Sequence, residues 1–246
     1  MPKSFSARIF VALIVIAGFL ALGNSALNVR HMPTVRSVAF LVVACLAARL
    51  KIKLPGLPGT MSVNLPFILL AAAQMNTAEA LAVGFISSLV QCLAVGKQRI
   101  NPVHVAFSCC TITLAAAVTR LIYMSPAVTA MVPSPYLRLA IAAAGYFLTN
   151  TILVAIVIGL TEAVNIVRTW VEILQLSFPY LVASAGVAAL ALTITQEIDW
   201  QVPLAVLPIM AGIFFSYRRY FSATTITQSI RTKVQAPSRM TAGAHI

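Results

Sequence analysis

The residues able to do acid–base or metal chemistry are few in this 246-residue chain, and they are scattered. Its five carboxylates, Glu79, Glu162, Glu172, Glu197 and Asp199, all sit at the ends of apolar runs or between them. A membrane enzyme or an ion-driven carrier needs ionisable groups inside its spans, where they are costly and are kept for function. His31, His104 and His245 are far apart, and no H-E-x-x-H, G-x-S-x-G or phosphate-cradling glycine loop occurs. Cys45, Cys92, Cys109 and Cys110 lie within apolar runs, lack zinc-site spacing, and read as small packing residues. His104 follows Asn101-Pro102. As an axial ligand to a metal, haem or chlorin it would need a second ligand or an apolar cavity, so a lone histidine here reads first as a helix-end hydrogen-bonding residue. The expectation is a non-catalytic chain with no cofactor and no metal.

Uncharged polar residues carry the stronger signal. Asn64, Gln74 and Asn76 fall on or beside a short apolar run, and Thr149, Asn150 and Thr151 cluster inside a long one. With Glu79, Arg120, Arg138, Gln196, Glu197 and Asp199 at the same predicted end of the bundle, Gln74 and Asn76 would rim a pocket with Asn150 at its floor. Apolar walls with a few aimed polar groups suit a small neutral or zwitterionic molecule. The candidate ligand-binding set is therefore Asn64, Gln74, Asn76, Glu79, Arg120, Asn150 and Gln196. The competing reading of each is a helix cap or an interhelical hydrogen bond.

The elements that must position them follow from composition. The chain is 60% hydrophobic and 9% charged, with a mean hydropathy of +0.95. Soluble domains carry about 25% charged residues, so the partner of this surface is the lipid bilayer. The net charge of +12 then reads as a topology signal rather than as a nucleic-acid footprint, because no water-exposed basic domain accompanies it. Apolar runs at roughly 7–28, 36–50, 61–75, 77–95, 102–124, 136–160, 178–196 and 202–220 predict an all-α bundle of about eight spans. The third run is short or broken. With the N-terminus inside, thirteen of the 17 Lys and Arg fall on the cytoplasmic side, and Arg30, Arg36, Arg120 and Arg138 fall outside. That split predicts a multi-pass membrane protein with both termini cytoplasmic. Residues 164–177, with Trp170 and with Arg168 and Glu172 on the polar face, predict an amphipathic helix lying at the interface and broken by Pro179. The membrane domain would span 1–221, and residues 222–246 would form a basic, disordered tail. In the fourth run Ala80, Gly84, Ser88 and Cys92 recur every four residues, a spacing that lets helices approach closely within the fold.

Residues 49–95 hold a basic, Pro/Gly-punctuated hinge (Lys51, Lys53, Leu54-Pro55-Gly56, Pro58, Gly59), a short run entered through Asn64 and Pro66, a polar turn from Gln74 to Glu79, and a helix carrying Gly84 and Ser88. This stretch resembles the N-terminal membrane sensor modules of bacterial cyclic-di-GMP signalling proteins. It is more distantly similar to S components of energy-coupling-factor vitamin transporters. The segment FFSYRRYF at 214–221 resembles the junction at which the signalling proteins enter their output domain. Ala17 and Ala21 fit the small-residue spacing by which S components dock their transport partner.

The resemblance implies a substrate- or signal-binding fold of the bacterial inner membrane; with the pocket described above, the expectation is a module that binds an unidentified small molecule from the outer side and works with a separate membrane or cytoplasmic protein partner. Two alternatives stay open: a structural or accessory subunit of a larger membrane complex, and an S-component-like transporter subunit.

Overall fold

The computed structural model describes residues 5–28, 34–53, 60–93, 101–194, 206–212 and 215–216. Gln196, Glu197, Asp199, His31, the 222–246 tail and most of 214–221 lie outside the described residues. The regular structure of the described residues is helical apart from one small ribbon. In order it forms α1 (Phe5–Leu27), α2 (Val35–Ala48), β1 (Lys51–Lys53), β2 (Thr60–Ser62), α3 (Leu65–Gln74), α4 (Thr77–Leu93), α5 (Pro102–Met124), α6 (Pro126–Met131), α7 (Pro135–Glu162) and α8 (Ile166–Ile194). The two strands pair antiparallel, with Lys51 opposite Ser62 and Lys53 opposite Thr60.

Local chemistry explains most boundaries. Asn101 caps α5 by accepting from the Val103 N–H at 3.1 Å, and Pro102 fills the first helical position. Ser134 and Pro135 repeat that arrangement at α7. Proline is at home there because its missing N–H would be unsatisfied anyway. The α7–α8 turn contains Ala163 in the left-handed region at φ 55°, and the Asn165 side chain then accepts from the Arg168 N–H to start α8.

Of the eight predicted spans, four among the described residues are long and apolar enough to cross a membrane: α1, α5, α7 and α8. The helices α2, α3 and α4 have only 14, 10 and 17 residues. Hydropathy cannot separate a run that faces lipid from one that faces protein, and α3 is the clear case. Every residue from Leu65 to Ala73 is buried, in contact with α5, α8, α4 and α7. Ten residues rise about 15 Å, half of an apolar bilayer core of about 30 Å.

The predicted interfacial helix at 164–177 is also corrected. Its residues belong to α8, which continues through Pro179 to Ile194. The buried stripe Thr169, Ile173, Ser177, Tyr180, Ser184, Ala188 and Ala191 passes Pro179 without a change of phase. Pro179 itself points outward. A membrane helix tolerates such a proline where its lost bond falls on one side and packing holds the other. Trp170 is tied into the bundle: its indole N–H donates to Thr151 Oγ1 at 3.2 Å, joining α8 to α7.

Helix directions follow from contacts. Gly84 faces Ala116 while Cys109 lies beside Ser88 and Cys92, so α4 and α5 run antiparallel, and the four-residue repeat of α4 is their seam. Arg138 lies over Tyr123 and Gly145 meets Ile122, so α7 opposes α5. One end of the bundle therefore holds the ribbon and the start of α5. The other holds the α3–α4 turn and the α5–α6–α7 connection.

At Gly18 the backbones of α1 and α5 come so close that a Cβ would fall 2.5 Å from Cys110 Cβ and 2.9 Å from its Cα. Gly18→Ala is expected to lower the stability of the detergent-solubilised protein by about 1–3 kcal/mol, the usual cost of overpacking. Gly23→Ala, with nothing within 4 Å of its Cβ, should leave the thermal midpoint unchanged or raise it. Equal loss in both variants would contradict this account of the α1–α5 contact.

Candidate functional site

The α3 helix sets the site because it is buried from Leu65 to Ala73 and ends at a turn whose Asn76 and Thr77 are exposed. At its start Pro66 presets the backbone, and Phe67 and Ile68 both donate to the Asn64 carbonyl. The Asn64 side chain does not cap its own helix. Its amide donates to Ser87 Oγ at 3.0 Å, joining α3 to α4 in the buried interior.

At its other end Met75 turns into extended backbone and its N–H returns to the Ala71 carbonyl. The neighbouring Ala72 carbonyl accepts from Arg120 Nη1 at 2.8 Å. A guanidinium at a helix C-terminus also meets the negative end of the helix dipole. The following turn is a reciprocal capping box: Asn76 Oδ1 accepts from the Glu79 N–H at 2.9 Å, and Glu79 Oε2 accepts from the Asn76 N–H at 3.3 Å. Glu79 Oε1 accepts from Ser37 Oγ at 2.6 Å, which fastens the start of α2 to the same turn. Ser37 is itself in the first turn of α2, whose cap is Thr34.

Tyr123, one helical turn beyond Arg120, is buried, and the Arg138 guanidinium lies 5.3 Å from its ring centroid. Arg138 Nη1 donates to Thr129 Oγ1 on α6 at 2.9 Å. The structure thus gathers Ser37, Gln74, Asn76, Glu79, Arg120, Tyr123, Thr129 and Arg138 from α2 through α7 at one end of the bundle.

Four of the predicted residues, Gln74, Asn76, Glu79 and Arg120, therefore share an end. Asn64 does not join them: it stands at the opposite end of α3, about 15 Å away. Asn150 lies about 18 Å along α7 from Arg138 at the rise of an α-helix. It is half-buried, with no hydrogen-bond partner among the described residues. Its neighbours Thr149 and Thr151 return their hydroxyls to the Gly145 and Phe147 carbonyls. Gln196 is outside the described residues. His104 is exposed in the first turn of α5, and no cluster of three metal-ligating side chains occurs among the described residues.

Sequence reasoning left Ser37, Tyr123 and Thr129 out of the set. The N-x-x-E spacing of Asn76 and Glu79 signals a cap, but nothing local signals that Ser37, 42 residues earlier, completes it. A separate cleft of about 330 Å³ lies between α1, α4 and α5, walled by Phe19, Phe85, Leu89, Val105 and Cys109 among others. It contains none of the candidate polar groups.

No protein-family model, no curated protein and no solved structure matches this chain. The fold and the composition define a class: a helical membrane protein with several long apolar helices, packed around a half-length one.

Removing the Arg120 head group strands a carbonyl beside a buried helix end. Arg120→Met is expected to cost about 1–3 kcal/mol, the penalty for an unsatisfied buried acceptor. Asn150→Ala should change stability by less than about 0.5 kcal/mol. Thermal unfolding in detergent reads both, and an Arg120→Met protein as stable as the parent would remove the cap from this account.

Proposed function

We propose that the chain is a non-catalytic recognition module of the inner membrane. It takes a small molecule at the end of the bundle that carries the α3–α4 turn, and it passes that occupancy to a separate protein partner. With both termini cytoplasmic, that end faces outward.

The observation that carries this reading is the convergence of polar side chains from α2 through α7 on the end of one buried half-helix. Half-length helices in membrane proteins are where binding sites are built, because their freed backbone groups lie inside the protein. The remaining contacts of α3 are largely apolar. A helix held at its ends by directional bonds and along its length by non-directional packing can take up two positions. A ligand that binds one position better shifts the balance between them by its differential affinity. Glu79 links the turn to α2, and Arg120 links it to α5, so a displacement of the turn reaches both.

Purification in nanodiscs from the native membrane, followed by mass spectrometry of everything retained, tests the proposal. The expected result is a small molecule retained with the protein and lost from Asn76→Ala and Glu79→Gln variants that still fold. Alanine at a ligand-contacting Asn76 should weaken binding by about 1–2 kcal/mol. A stoichiometric set of other membrane subunits with no small molecule would overturn the recognition reading in favour of an accessory subunit.

A further inference from the structure

The turn end of the bundle has an unbalanced charge. Arg138, from α7, lies over the Tyr123 ring, and Arg120 stands one turn before Tyr123 on α5, within electrostatic reach of the phenol. Neither has a carboxylate partner among the described residues. The nearest acid in the turn, Glu79, is committed to Ser37 and Asn76.

Each arginine spends one N–H on the protein, Arg120 on the Ala72 carbonyl and Arg138 on Thr129. Arg138 Nε is in addition shielded from solvent with no hydrogen-bond partner among the described residues. A buried donor on a cation without an acceptor is uncommon and costly. An oxyanion beside Arg138 would supply that acceptor, and a planar guanidinium fork matches the geometry of carboxylate and phosphate oxygens.

We propose that Arg138, over Tyr123, and Arg120, one turn before it on α5, form an oxyanion site beside the α3–α4 turn that holds the carboxylate or phosphate group of the molecule recognised there. This rests on reading that end as the recognition face, and it names the chemistry of the ligand. The anion comes either from a soluble metabolite or from a phospholipid headgroup, and each source has its own arm in the test.

The full-length protein in maltoside micelles is heated at constant ionic strength with inorganic phosphate, acetate or chloride, and separately with phosphatidylglycerol titrated into the micelle. A saturable rise of the unfolding midpoint with phosphate or acetate, beyond that with chloride, identifies a soluble oxyanion. A rise with phosphatidylglycerol alone identifies a headgroup. In either case Arg138→Gln should raise the half-saturating concentration about tenfold or more, as for loss of a charged hydrogen bond. Arg138→Lys should recover part of the affinity, and Arg168→Gln should leave the titration unchanged. The readout is the ligand-induced shift of each variant against its own midpoint, so a loss of basal stability does not mimic the result.

No shift with any of these anions, or a shift that survives Arg138→Gln, overturns the oxyanion site. If the native-membrane molecule is retained and lost with Asn76→Ala but not with Arg138→Gln, the recognition face stands and the anion assignment falls. If no molecule is retained at all while the anion titration saturates, the reverse holds.

Discussion

A half-length helix covered by protein from Leu65 to Ala73 needs another protein group to satisfy the buried carbonyls of its last turn. In this protein the Arg120 guanidinium does so, donating to Ala72. The rest of the architecture follows from that contact. It fixes α5 against the end of α3, and it brings a cation to the negative pole of a short helix dipole. It also sets the level at which the α3–α4 turn stands, where Glu79 fastens α2. The opposite end of α3 is joined to α4 by Asn64 and Ser87. Between these fixed ends the helix presents Phe67, Ile68, Leu69 and Leu70, all fully buried, to neighbours on every side.

Stability and function draw on the same contacts differently. The long helices pack through close approaches at Gly18, Gly84 and Gly145, which favour one arrangement because small residues leave no room to slide. The turn end is held instead by hydrogen bonds among exposed and half-buried side chains. Such bonds in membrane proteins average about 0.6 kcal/mol, so this end is the part of the molecule that a ligand can most readily rearrange.

Much of this was legible in the chain. Pro66, Asn64 and the polar run from Gln74 to Glu79 marked the broken hairpin, and Asn101-Pro102 marked the start of α5. Two readings failed for physical reasons. Residues 161–177 carry an exposed Arg168–Glu172 pair that imitates an interfacial face, and Pro179 imitates a break. The buried stripe of α8 nevertheless runs on, because helix phase, not local propensity, decides which side is packed. The count of eight spans is not supported: α2, α3 and α4 are apolar yet short, and the eighth run, 202–220, lies mostly outside the described residues. At the candidate site, the shared end of Gln74, Asn76, Glu79 and Arg120 followed from alternating helix direction. The bond from Arg120 to Ala72 spans 48 residues and leaves no mark in local pattern, so the role of Arg120 as a cap needed coordinates.

The central claim is that the α3–α4 turn responds to an occupant. Hydrogen–deuterium exchange tests it most directly, on protein taken from native membranes into nanodiscs and compared before and after its retained small molecules are stripped. The account predicts faster exchange after stripping at residues 74–80, with α1 and α8 unchanged. Identical exchange at that turn in the two samples, or an even rise across all helices, would contradict it.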